Sequence, residues 1–495
     1  ESGVVRLASP LRWACLVETM DTEAGDVGKK PGAATGVVDH PAEIDRNPCK
    51  FPDVLFGLGW IASVIAMAAV AFEYSDEVGD RYDDDDSKKK HAARNMLKIF
   101  ILSFFFALVV SQLALSVMMR FGGTMIHVSM VICEVLLLTC GVVAVNVSRW
   151  FVAFAFFALF GSLLLFHVCS VARIRYAAVT LHVGTRIVLA FPVLQLVAFV
   201  TAVVSVVFIF VFALAIFGYW NHQTANDAAA GKVVVVLLVF LFIFFWSQQV
   251  FKYVLTGTTA ATAQAWWYGE TPSVANHPAL NGLARNCTYN LGSICFGAAV
   301  VAVVETLVVA VQYLKKKATN APGVGCCVRC LLGCVQCCLA CCAAVMDYVN
   351  KYAFAYVGMH GYSYLYAGKK VVDLFAHHGF TAIGADFFVD TVLFANHVIV
   401  GVVTAAFGVL LVNKGPDSWH KHSASPEVAA GLICGIGGLA ISGIIFAVVD
   451  GANKATLILF ADNPHVLEHT HPDEFALISK VWAMLGKEIK DDEDD

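Results

Sequence analysis

The hydrophobic positions of this chain come in long runs parted by short polar stretches. A run of about 20 apolar residues is the length that crosses the hydrocarbon core of a bilayer as a helix. Nine such runs cover residues 54–72, 97–119, 125–147, 150–170, 188–218, 232–255, 290–314, 387–413 and 428–450. A weaker tenth covers 328–346, whereas 352–368 is too interrupted by Gly and Tyr for a clean span. The predicted fold is all-α, a polytopic transmembrane helix bundle of about ten spans. A polar N-terminal tail occupies 1–50, the membrane domain 51–460 and an acidic C-terminal tail 461–495.

The polar stretches read as loops. Residues 76–90, DEVGDRYDDDDSKKK, set an acidic block beside a basic one, the pattern of a solvated segment. NKGPDSWHKHSASP, 413–426, reads as a hairpin between two spans. The chain opens on Glu1, which fits a processed or trimmed product, and the first apolar run starts near Val54, so no secretory signal opens it. Ten spans put both termini on one side. With that side cytoplasmic, the basic loop 172–186 obeys the positive-inside rule, but Lys315, Lys316 and Lys317 fall outside, against it. The sequon Asn286-Cys287-Thr288 then falls inside, and Asn146-Val147-Ser148 falls at a membrane edge.

Composition sharpens this picture. Of 495 residues 59% are hydrophobic and 14% charged, with 36 Phe. A water-soluble chain of this length cannot hide so much apolar side chain. The net charge of −5 gives no basic surface for nucleic acid. There is no P-loop, HExxH or GxSxG, and the histidines lack metal-ligand spacing, so neither an enzyme nor a cofactor nor a metal site is expected.

Several stretches, in order, carry a resemblance. They are Arg46-Asn47-Pro48-Cys49-Lys50-Phe51-Pro52-Asp53, Arg173-Ile174-Arg175-Tyr176-Ala177 with Thr185-Arg186 and Pro192, and Phe245-Trp246 with Thr256-Gly257-Thr258 and Trp266-Trp267-Tyr268. Tyr289-Asn290-Leu291-Gly292-Ser293, Asn350-Lys351-Tyr352-Ala353, Gly361-Tyr362-Ser363, Val449-Asp450 and Phe460-Ala461-Asp462 continue the series. Over about 46–465 the chain resembles the choline transporter-like family, solute carrier family 44. Asn290 stands where that family usually has His, and Phe460-Ala461 departs from its closing motif. The loop after the first span is short beside the large external domain of animal members. The resemblance implies a ten-helix carrier with both termini cytoplasmic, set in the plasma membrane or an organelle membrane. It also implies a choline-like substrate, choline or a related amine such as ethanolamine.

A quaternary ammonium blocks hydrogen bonds to its nitrogen, so ring faces must hold it, each worth roughly 0.5–2 kcal/mol, with a carboxylate for charge. Intramembrane acids are therefore the first candidates for substrate binding: Glu134 within VICEVLLLTCG and Glu305 within VVAVVETLVVA. Both also read as polar glue between helices, Glu305 more so than Glu134. Asp390 and Asp450 lie near span ends and read as interfacial anchors. Trp246-Ser247-Gln248-Gln249 is a polar step inside an apolar run, which makes Trp246 an aromatic candidate and Gln248 a polar one. Asn396, with His397, sits deep in the span 387–413, and His167 and Gln195 could belong to a substrate or proton path. Each alternative is a packing contact. A carrier reading predicts alternating access about a midplane site. The competing reading is a carrier-like structural subunit with no transport, a partner in a larger membrane assembly.

Eight of the 16 cysteines fall in 326–342. Cys327, Cys330, Cys334, Cys337 and Cys341 step by 3 and 4, one stripe along about 20 Å of helix. Zinc needs convergent ligands, and neighbours on one helix rarely suit a disulfide. A small apolar helix face at the membrane and S-palmitoylation at Cys326, Cys327 and Cys330 beside the lysine cluster are the two readings that remain open. Either way the segment meets membrane lipids.

Overall fold

A computed structural model describes residues 51–74, 87–148, 150–169, 171–225, 230–271, 277–320, 326–378, 381–414 and 426–491. The described residues are almost all helical, with no strand among them. The helices are α1 (Val54–Glu73), α2 (Ser87–Asn146), α3 (Trp150–Cys169), α4 (Val171–Ala190), α5 (Val193–Ala225), α6 (Ala230–Trp267) and α7 (Pro278–Cys287). There follow α8 (Leu291–Asn320), α9 (Cys326–His360), α10 (Tyr364–His378), α11 (Thr381–Lys414), α12 (Pro426–Asp462), α13 (Pro464–Thr470) and α14 (Pro472–Asp491).

Nine segments among the described residues are long and apolar enough to cross a bilayer, and each corresponds to an expected run. The backbone of α2 leaves helical geometry at Phe121, which divides it into the spans Ile101–Met118 and Thr124–Asn146. Two spans run on beyond the apolar pattern. The sixth continues to Trp267 and the last to Asp462, because their ends exchange lipid contact for buried polar contact. Large apolar side chains such as Leu55, Phe72 and Phe151 stand outward, as a lipid-facing surface requires.

The cysteine segment belongs to α9, where only Cys330–Ala343 is apolar. Yet α9 lies antiparallel to α8 over the same depth. At one end Lys315 of α8 donates to Gln336 of α9 (2.9 Å). At the other, Asn290, just before α8, donates to the Val357 carbonyl (3.3 Å). The second half of α9 carries Asp347, Asn350, Lys351 and His360 among apolar and aromatic residues, and it packs on protein, with every residue from Tyr352 to His360 buried.

The helix ends are set by residue type. Pro opens α7, α12, α13 and α14, where its missing N–H costs nothing. Gly269 (φ 77°) ends α6, with Glu270 N–H bonded to the Ala265 carbonyl across it. Gly361 (φ 76°) ends α9. Its last carbonyls, of Gly358 and Met359, accept from the Arg285 guanidinium of α7, a cation at the negative end of the helix dipole.

Candidate functional site

The quoted motifs turn out to be meeting places. Phe51 packs on Tyr289 (ring centroids 4.9 Å apart), and Ser293 donates to the Asp53 carboxylate (2.8 Å). A Cβ on Gly292 would lie 2.4 Å from the Pro52 carbonyl oxygen, so Gly292 lets the strained turn at Phe51 and Asp53 (φ 66° and 56°) sit on the start of α8. Gly358 likewise crosses Gly257, a Cβ there falling 2.3 Å from the Gly257 Cα, which brings α9 onto α6. Asn286 is fully buried and accepts from Asn290 (2.8 Å), so its sequon presents no surface for a glycan.

The polar step on α6 faces protein. Trp246 Nε1 donates to the Cys295 carbonyl of α8 (2.8 Å), while Ser247 accepts from Trp60 of α1 (3.2 Å). Gln248 Oε1 accepts from Ser205 of α5 (2.6 Å), and Gln249 donates to Glu305 of α8 (2.8 Å). Four successive residues thus tie α6 to three other helices. The buried Gln248 Nε2 and Gln249 Oε1 have no hydrogen-bond partner.

Glu134 is 7% exposed and binds His167 Nδ1 of α3 at 2.8 Å, and His167 Nε2 lies 3.2 Å from His127 Nδ1. Neutral imidazoles with a proton on each Nδ1 satisfy both contacts, His127 donating to His167 and His167 to the carboxylate. Asn396 is buried and donates back to the Val392 carbonyl (2.8 Å), while His397 Nδ1 lies 3.0 Å from the Ser442 hydroxyl of α12.

The main concentration of charge lies where α9, α11 and α12 meet. The Lys454 side chain is completely buried and salt-bridged to Asp386, 1% exposed. The same ammonium lies 3.1 Å from Asp390 Oδ1 and 2.8 Å from Asp450 Oδ1. On the far side of Asp390, Lys351 of α9 binds Oδ2 at 3.1 Å. Asn453 donates to Asp386 (3.3 Å), and the Tyr352 ring lies beneath the ammonium, 5.7 Å from its centroid. Exposure rises from Lys454 and Asp386 through Asp450 (17%) and Lys351 (19%) to Asp390 (36%), so the cluster opens on one side only. Burying these charges costs several kcal/mol per ion before pairing offsets it, and inside a membrane such groups are functional by default.

The structure does not bring Glu134, Trp246, Gln248, Glu305 and Asn396 into one constellation. They are parts of separate helix–helix contacts, Glu134 on α2–α3, the α6 step with Glu305, and Asn396 on α11. Asp450, expected as an interfacial anchor, is instead a member of the ionic cluster. Lys454 and Asp386 were not singled out from the sequence. The available signal was spacing: Asp450 and Lys454 are four apart, as are Asp386 and Asp390, so each pair shares a helix face. Cys330, Cys334, Cys337, Cys338, Cys341 and Cys342 are free and exposed. The side chains of Cys326 and Cys327 lie outside the described residues. Among the described residues no group of three or more His, Cys, Asp or Glu side chains could hold a metal ion.

A bundle of membrane-length helices with a buried ionic cluster defines an integral, multi-pass membrane protein of the polytopic helical class. Residues 152–465 match the family model described as plasma-membrane choline transporter, and the chain belongs to that family. It is 26% identical over 334 residues to Protein PNS1 of Debaryomyces hansenii, covering 65% of this chain and 64% of that protein. Against Protein PNS1 of Saccharomyces cerevisiae it is 23% identical over 483 residues, 93% of this chain and 89% of the other. A CTL-like protein of Dictyostelium discoideum is 22% identical over 337 residues, 67% of this chain and 57% of that one.

Proposed function

We propose that this protein is a carrier that moves choline or a related amine such as ethanolamine across the plasma membrane by alternating access. The observation that carries the reading is the cluster of three carboxylates on α11 and α12, buried among membrane helices and open on the Asp390 side. Carboxylates beside an aromatic ring suit an amine cation, and Tyr352 already faces an ammonium there. Family membership supports the same class of cargo. In this reading Trp246, Gln248 and Glu305 on α6 and α8, and Glu134 and Asn396 on α2 and α11, act along the path of the cargo and not within the cluster.

The test is uptake of radiolabelled choline into liposomes holding the purified chain, with ethanolamine as competitor. Saturable, competed uptake is the expected result. Glu305→Gln is expected to weaken apparent affinity about tenfold, the equivalent of ~1.4 kcal/mol. Absence of uptake by folded protein in both orientations overturns the reading and points to a structural subunit, which co-purification with stoichiometric partners would then reveal.

A further inference from the structure

The ionic cluster has an unequal balance of donors and acceptors. Its ion-paired members are the carboxylates of Asp386, Asp390 and Asp450 against the ammonium groups of Lys454 and Lys351, three negative charges and two positive ones. Lys252 acts on Asp450 electrostatically from α6 and is not among the groups that bind it. Three buried acceptors in the cluster receive no hydrogen bond: Asp386 Oδ2, on a residue 1% exposed, Asn453 Oδ1, on a residue with no exposure at all, and Asp450 Oδ1, which meets Lys454 only as an ion pair. The first two belong to side chains already joined through Asn453 Nδ2 and Asp386 Oδ1. The chain therefore supplies more oxygen ligands here than its own cations use.

The cation that does occupy the place is the end of a side chain. Lys454 is held from three sides by carboxylates of two helices, over the Tyr352 ring. An ammonium so enclosed is chemically a bound primary amine that happens to be tethered. A helix glycine makes room for it: Gly184 of α4 abuts the Asn453 backbone, a Cβ falling 3.2 Å from its nitrogen.

We propose that Asp386, Asp390, Asp450 and the Asn453 amide oxygen form a binding site for a primary ammonium, and that Lys454 is its tethered occupant. The amine reading above motivates the site but is not needed to test it, because occupancy is read from stability rather than from transport. Removing the ammonium while leaving the oxygens creates an empty site that a free cation of the right size refills.

The experiment follows thermal unfolding of the purified full chain in detergent, by tryptophan fluorescence, in methylammonium, sodium, potassium or N-methyl-D-glucamine chloride at equal ionic strength. The wild-type midpoint is expected to rise less in methylammonium than that of K454A. K454A is expected to unfold at a lower temperature and to regain most of the loss, saturably, in methylammonium and not in N-methyl-D-glucamine. Rescue by sodium or potassium equal to that by methylammonium overturns the assignment to an ammonium. D386N/K454A is expected to show no rescue. Should K454A fail to fold, D450N/K454A removes one charge of each sign and keeps Asp386, Asp390 and Asn453 for the same titration. Folded K454A that methylammonium does not stabilise beyond the N-methyl-D-glucamine control overturns the proposal and leaves a purely structural ion pair. Stabilisation of the wild type by methylammonium as large as that of K454A overturns it too, since the tethered ammonium would then not be the occupant.

Discussion

Two groups of intramembrane acids in this protein differ in what surrounds them. Glu134 has one partner, His167, on the next helix, and the chain of contacts ends at His127, which is exposed. Lys454 has no exposure and Asp386 only 1%, and their partners come from two helices with a third, α9, behind them. The first arrangement is one charge held by one hydrogen bond between neighbouring helices. The second sets several charges of both signs against one another. A buried charge with one partner is a local contact, and a buried group with several charged partners is a point where three helices must agree.

The largest expected effect breaks the second arrangement. K454A leaves three carboxylates buried without their central cation, and loss of one partner of a buried pair costs about 3–5 kcal/mol. In chemical or thermal unfolding K454A is expected to be the least stable single variant. K454M/D386N is expected to lie well above it, because two charges of opposite sign leave together. Equal midpoints for the two variants would show that the charges do not act on each other.

Next in size is a change near neither acid. A Cβ at residue 358 meets Gly257 backbone, which cannot step aside as a side chain can. Gly358→Ala is expected to cost about 1–3 kcal/mol by overpacking and to shift α9, and with it Lys351, away from Asp390. Pairing G358A with D390N tests that link: the two losses are expected to sum to less than their separate values. By contrast, Glu134→Gln keeps the shape of an acceptor for His167 and is expected to cost about 1 kcal/mol. A loss from E134Q as large as that from K454A would erase the distinction between the two groups.

The nine apolar spans were legible in the sequence because lipid demands the same uniform hydrophobicity from every exposed helix. Glu134 was legible for the same reason, as an acid that interrupts such a run. Lys454 was not, because α12 beyond Asp450 reads Gly-Ala-Asn-Lys and resembles a loop once lipid contact is assumed. That segment is buried in protein, where polar residues are allowed if paired. The second half of α9 hid in the same way. Asn350, Lys351 and Tyr352 lower its hydropathy because they face the core, so composition under-reports the helix that carries them. Motif pairs such as Asp53 with Ser293 were visible as separate strings, while their contact depends on tertiary structure.

The smallest expected effect lies outside the membrane and asks how the C-terminal segment is held against the bundle. Thr470 donates to the Trp267 carbonyl (2.9 Å), Trp267 donates to the Asn463 carbonyl (3.1 Å), and His471 packs against Trp266, with ring centroids 3.8 Å apart. Burial lowers the pKa of His471 below the ordinary histidine value, and Glu474 opposes that shift only in part. The docked state therefore binds fewer protons than the undocked one. Docking is at full strength above the unfolded histidine pKa of about 6.5 and is lost progressively as pH falls below it toward the docked value. Cleavage within 463–491 by a protease active over this range is expected to quicken as pH falls below about 6.5. H471F keeps a ring against Trp266 and cannot take a proton, so its cleavage is expected to be flat with pH. An equal pH dependence in H471F would assign the effect to another group. A flat profile in the wild type would mean that the Thr470, Trp267 and Asn463 contacts hold the segment with no contribution from His471 titration.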